Sequence, residues 1–194
     1  MKNLFAALMC VMAVAMVGCK PEDPNKSGTD VKDVDVTKVD DKTEKCWAIG
    51  ITGTVDDIEA SQVSYFWGTE KAVVEEAQEE LKAFDEMTQK YGLTLNITVK
   101  YMEADPKSEE ACKQQDEATQ KEYEESGECW KIMMSAGMLS EEYYVWGHEV
   151  TVKIAEAQME AMLKNYGITS GYEIKHEKVE AENAEACEKN NKVY

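Results

Sequence analysis

The sequence predicts an α+β protein made of two tandem ββαβ(α) repeats, each closed by one disulfide. Three observations carry this. Landmarks in residues 46–112 recur in the same order in 129–187. Within each repeat the apolar pattern changes from period two to helical period and back. Four cysteines stand at matching places in the two copies. An internal repeat of this kind marks duplication of one supersecondary unit.

The elements follow in order. Trp47, Ile49 and Ile51 alternate, as do Trp130, Ile132 and Met134, and both read as strands. Val63, Tyr65 and Trp67 alternate after a polar turn, which gives a hairpin whose second strand ends at Trp67. Gly68 then breaks the extended chain, and Thr69 is placed to cap a helix. The tract Tyr-x-Trp-Gly-x-Glu recurs at Tyr144, with Trp146 and Gly147 matching Trp67 and Gly68 and His148 in place of Thr69. Val73, Ala77, Leu81, Phe84 and Tyr91 form one helical stripe. Val152, Ala155, Met159, Leu163 and Tyr166 form its partner. Gly92 and Gly167 sit where a left-handed cap is wanted. Leu93 to Tyr101 is a period-two strand, repeated more weakly by Tyr172, Ile174 and His176. A short acidic helix bearing the second cysteine follows each strand.

The cysteines test this order. Of six, four lie in the repeats and allow three pairings. The repeat favours Cys46–Cys112 and Cys129–Cys187. In a ββαβ unit the last strand ends beside the start of the first, within the reach of about 7 Å that a disulfide needs. A single ferredoxin-like βαββαβ domain is the alternative, and it requires 62–67 to be loop.

The N-terminus carries an address. Lys2 precedes the uncharged run Leu4–Val17, which is short for a bilayer span and suits a signal peptide. The run ends in Met16-Val17-Gly18-Cys19, which resembles the lipobox of bacterial lipoproteins, although Met16 departs from the usual Leu, Val or Ile. The resemblance covers residues 1–19 alone. It implies cleavage before Cys19, lipid on Cys19, loss of Cys10 with the leader, and membrane attachment through that lipid. Lys20 in place of Asp favours the outer membrane, facing the periplasm or the cell surface. Residues 20–45 are polar and acidic and read as a flexible tether, with a root-mean-square reach of roughly 25–30 Å. Repeat one with its connecting acidic helix then spans 46–128, and repeat two spans 129–194.

Composition excludes some partners. The net charge is −18. Removing 1–19 removes Lys2 and no acid, which takes the charge to −19. Nucleic acid requires a basic footprint that this chain lacks. Asp33, Asp35, Asp40 and Asp41 lack the glycine and the closing glutamate of an EF-hand loop. His148 and His176 correspond to Thr69 and Tyr101, so a duplicated catalytic or metal site cannot rest on them. Serine-nucleophile, phosphate-loop and zinc-protease motifs are absent. Glu79-Glu80, Glu109-Glu110 and Glu124-Glu125 read as solvated faces. Met133, Met134 and Met138 suit packing better than copper. The four tryptophans read as core residues. No catalytic residue, cofactor or metal is assigned. The expectation is a non-enzymatic envelope module that binds a protein or a glycan. The rivals are a protease-inhibitor-like or propeptide-like domain, with loops 53–61 or 135–142, and a glycan-active enzyme.

Overall fold

The structure, a computed structural model, describes residues 23–137 and 139–190. Cys10, Cys19 and Met138 lie outside them. The first unit runs β2 (Glu44–Val55), β3 (Ile58–Thr69), α2 (Glu70–Tyr91), β4 (Leu95–Glu103) and α3 (Glu109–Glu125). The second runs β5 (Glu128–Ala136), β6 (Leu139–Gly147), α4 (Glu149–Asn165), β7 (Tyr172–Val179) and α5 (Ala184–Glu188). Three short elements precede them: α1 (Pro24–Ser27), β1 (Thr29–Asp30) and a 3-10 turn (Val31–Asp33). Both sheets are antiparallel, in the orders β1-β4-β2-β3 and β6-β5-β7. The ββαβ order and both disulfides are therefore present. The ferredoxin-like alternative falls because 62–67 lies inside β3, paired with β2 along its length.

Local chemistry accounts for the boundaries. Asp56 and Asp57 take φ of 48° and 69° and form a two-residue hairpin turn, the geometry whose twist matches the flanking strands. Thr69 Oγ1 accepts from the Ala72 N–H at 3.2 Å and starts α2. Gly92, at φ 70°, ends it in the left-handed region. At the end of α4 the Ile168 N–H reaches the Leu163 carbonyl and the Gly167 N–H reaches Lys164, the paired bonds of a Schellman cap.

The first sheet is covered on both faces. Trp47, Ile49, Ile51 and Val55 pack with Val73, Val74, Ala77 and Phe84 of α2. On the other face Cys46 and Ala48 pack with Cys112 of α3, beside Val63, Tyr65, Trp67 and Met102. A strand buried on both sides reads as an unbroken buried run, and β2 is buried from Cys46 through Ile51. The second sheet is simpler. Trp130, Ile132, Val145 and Ile174 pack on Val152, Ala155 and Met159 of α4, and β7 alternates between half-buried and exposed residues.

α4 carries a second apolar stripe that the sequence reading omits. Val150, Ile154 and Ala157 join the core of the first unit. The core of the first unit is thus shared between the two repeats, with α4 packed between its own sheet and α2, while the cluster under the second sheet stays separate. Tyr166, assigned to the core stripe, is 74% exposed. It is the C-cap, with φ −84° and ψ 6°, so the helical face ends before it.

The flexible-tether reading of 20–45 is corrected from Asp23 onward. α1 lies against Gly50, where an added Cβ would fall 2.4 Å from Asn25 Oδ1. β1 then pairs with the edge of β4 at Thr29–Tyr101 and Asp30–Lys100. Val31 is fully buried in the shared core. The Gln78 amide donates to the carbonyls of Val31 at 2.9 Å and Val34 at 3.2 Å. The segment is a strap round the sheet edge, closed by buried Val31 with Val34 and Val36 packed against the same core. Val31→Ala is expected to lower stability by about 2 kcal/mol, from two lost methyl groups plus the cavity left behind. Urea midpoints measure this, and protease cleavage moves first into 23–43. An unchanged midpoint would mean that the strap contributes nothing.

Candidate functional site

The duplicated tryptophans build two matching joints. The Trp47 indole donates to the Gly68 carbonyl at 3.0 Å. The Trp130 indole donates to the Gly147 carbonyl at the same distance. Each first strand therefore pins the turn at which its hairpin enters the helix. The accepting carbonyl is backbone and needs no particular side chain; what favours glycine at Gly68 is space, because an added Cβ would fall 2.6 Å from Phe66 Cε1.

The residue that varies in the joint has diverged in use. His148 makes no side-chain cap bond. Its ring stacks on Tyr123 with centroids 3.9 Å apart, and Nε2 lies 3.3 Å from the Tyr123 carbonyl oxygen. The Trp146 indole donates to the Glu124 carbonyl at 2.7 Å. Both side chains hold the end of α3 and so couple the units.

Tyr101 and His176 also correspond in space. Tyr101 faces Ile49 across β2–β4, and His176 faces Ile132 across β5–β7. The Tyr101 hydroxyl donates to Glu70 Oε1 at 2.9 Å. Burial, together with that carboxylate, pushes its pKa up to about 12. His176 Nδ1 lies 2.8 Å from Glu156 Oε1, and Nε2 lies 3.6 Å from Glu149 Oε1. Lys153 bonds the other Glu156 oxygen at 2.9 Å. Nothing in the spacing of the sequence assigns His176 a carboxylate partner, and the fold supplies Glu156 and Glu149. Strand register and helix phase together bring Glu149, Glu156 and His176 to one place, and neither was fixed by spacing alone. Among the described residues no group of three or more His, Cys, Asp and Glu is placed to hold a metal.

The other candidates disperse. Met133 and Met134 are neighbours on β5 and point to opposite faces. Asp35 and Asp40 serve their own turns: Asp35 takes the Thr37 N–H, the Thr37 hydroxyl and Lys38, and Asp40 takes the N–H groups of Lys42 and Thr43. Lys38 above all holds the Asp35 carboxyl below its ordinary range. Glu109, Glu110, Glu124 and Glu125 are exposed. Glu80 departs from the solvated-face reading: its Oε2 is shielded from solvent and has no hydrogen-bond partner among the described residues. Of the proposed inhibitor loops, 53–61 is a tight hairpin with Asp56 and Asp57 alone outside its strands.

The clearest difference between the units lies on the face opposite the helix layer. Register equates Ala48, Val63 and Met102 of the first sheet with Lys131, Glu142 and Glu177 of the second. An apolar patch under α3 has become an ion-paired one. Lys131 Nζ lies 2.8 Å from Glu142 and 3.9 Å from Glu177, and the Glu142 bond raises its pKa. At the disulfide end, Lys45–Glu103 becomes Glu128–Lys178, the same ion pair with its signs exchanged. α5 is much shorter than α3, and an open groove of about 750 Å³ remains there, lined by Cys129, Trp146, Glu128, Lys178, Glu180 and Glu182. Comparison of the chain with protein-family models, curated proteins and solved structures finds no match.

Proposed function

We propose that the chain is an exported, lipid-anchored envelope protein acting as a non-enzymatic binding module, with its ligand held on the outer face of the second sheet. One observation carries this reading. The first unit covers that face with α3 and the strap, whereas the second carries only the five-residue α5 at its disulfide end, with Lys131, Glu142 and Glu177 beside Met133, Tyr144 and Trp146. Duplication frees one copy to change surface while the other holds the fold. Mixed charge next to aromatic rings suits a polar ligand, either an envelope protein or a glycan. Two disulfides accord with an oxidising compartment, and the lipobox at Met16–Cys19 supplies the anchor.

The test uses whole chain solubilised from its native envelope. Wild type is expected to retain an envelope component that Lys131→Ala with Tyr144→Ala releases at unchanged stability. Equal retention by both proteins sinks the reading. Separately, Cys19→Ala is expected to abolish palmitate labelling and release the protein from membranes, and continued labelling would refute the anchor.

A further inference from the structure

β7 ends the second sheet. Its residues pair with β5 on one side, and among the described residues no strand pairs with the other. In the first sheet the equivalent edge is occupied. β1 pairs there with β4 at Tyr101 and Lys100, the positions that correspond to His176 and Lys175. An open row of backbone N–H and C=O groups is a template for a further strand.

The residues along β7 select which strand fits. Glu173, Lys175, Glu177 and Val179 lie on the outer face, and Ile174, His176 and Lys178 lie on the helix face. Consider a second copy running antiparallel, with both helix layers on the same side. Opposed residues must then share a face. With His176 opposite His176, each Lys175 lies opposite the other copy's Glu177, Ile174 opposite Lys178, and Glu173 opposite Val179. Two cross-strand ion pairs form and no acidic pair meets. A slip of two residues one way sets Lys175 on Lys175 and Glu173 on Glu177. The same slip the other way sets Glu177 on Glu177. Opposite charges facing across an antiparallel pair stabilise it and like charges oppose it, so the strand is self-complementary in one register.

We propose that two copies of this chain associate through their β7 edges, with twofold symmetry about His176, into one continuous antiparallel sheet. Such an isologous contact is the common form of a dimer. The contact engages Lys175 and Glu177 at the margin of the outer face and does not require that face to hold a ligand.

Sedimentation velocity of the whole chain in detergent micelles, over a dilution series, reads the association. Lys175→Glu and Glu177→Lys are each expected to weaken it about tenfold or more by setting like charges opposite each other. Combining the two substitutions restores it, because each pair is re-formed with its signs exchanged. Lys175 and Glu177 have side chains 63% and 55% exposed, and unchanged urea midpoints confirm that the variants fold. Carbodiimide treatment of mixed light and heavy isotope copies is expected to join Lys175 of one to Glu177 of the other. A monomer at every concentration overturns the proposal. So does a dimer indifferent to the single substitutions, or one that the double substitution leaves weakened.

Discussion

Replacing Cys129 and Cys187 with alanine is expected to cost about 4 kcal/mol, a large part of the 5–15 kcal/mol that holds a typical domain folded. The bond joins residues 58 apart, and Cys46–Cys112 joins residues 66 apart. Constraint of the unfolded chain therefore predicts nearly equal losses for the two. The second bond has the greater local consequence. α5 has five residues and no apolar contact cluster of its own, and a helix that short does not persist unaided. Hydrogen exchange should find α5 unprotected in the double variant while β5 stays protected. The shared core adds a further expectation. Val150 and Ile154 reach into the interior of the first unit, so loss of α4 uncovers both units. Tryptophan fluorescence and far-UV circular dichroism should follow one urea transition, at a lower midpoint than wild type. Two separated transitions would show that the repeats fold independently and that the shared interior is weak.

This coupling was not legible in the sequence, and the reason is physical. Period and spacing report which face of a helix is apolar, and Val152, Ala155, Met159 and Leu163 were found that way. A second, narrower stripe such as Val150, Ile154 and Ala157 goes unreported because it lies beside the wider one and merges with it in the periodic pattern. The joints were legible for the opposite reason: the donating tryptophans Trp47 and Trp130 and the Trp-Gly steps they reach stand in the same order in both copies. The strap escaped because four scattered valines in an acidic run have little compositional weight, although Val31 is fully buried and Val34 and Val36 pack beside it. The partners of His176 escaped because Glu149 and Glu156 lie on one element and His176 on another. Their meeting depends on helix phase against strand register. The tract Glu-Ala-Gln occurs at 76–78 and again at 156–158 and invites a direct match that the helices do not bear out. Counted from the helix starts, Glu156 stands where Ala77 does, and the two tracts are offset by one residue. In the first unit Gln78 holds the strap, and in the second Glu156 holds His176.

Glu80→Gln is expected to stabilise the protein by about 2 kcal/mol at pH 8 and by little at pH 4. Glu80 follows Val73 and Ala77 and precedes Phe84 on one stripe of α2, whose other three members are buried. Its Oε2 is shielded from solvent and has no hydrogen-bond partner among the described residues. Burial, helped by the charge of Glu76, raises its pKa to about 7 from the ordinary 4.5. The folded protein therefore binds this proton more tightly than the unfolded chain does. Below pH 4.5 the carboxyl is protonated in both states and its titration costs nothing. As pH rises from 4.5 to 7 the unfolded chain sheds the proton first, and stability falls across that window. Above pH 7 the folded state carries a desolvated charge and the loss is complete. The full shift converts to about 3 kcal/mol, and the partial exposure of the side chain reduces that toward 2. Glutamine keeps the shape and removes the charge. The difference in urea-derived stability between variant and wild type should grow through this window and level off above it. A difference that stays flat from pH 4 to pH 8 would show that the Glu80 carboxylate is solvated in the folded protein.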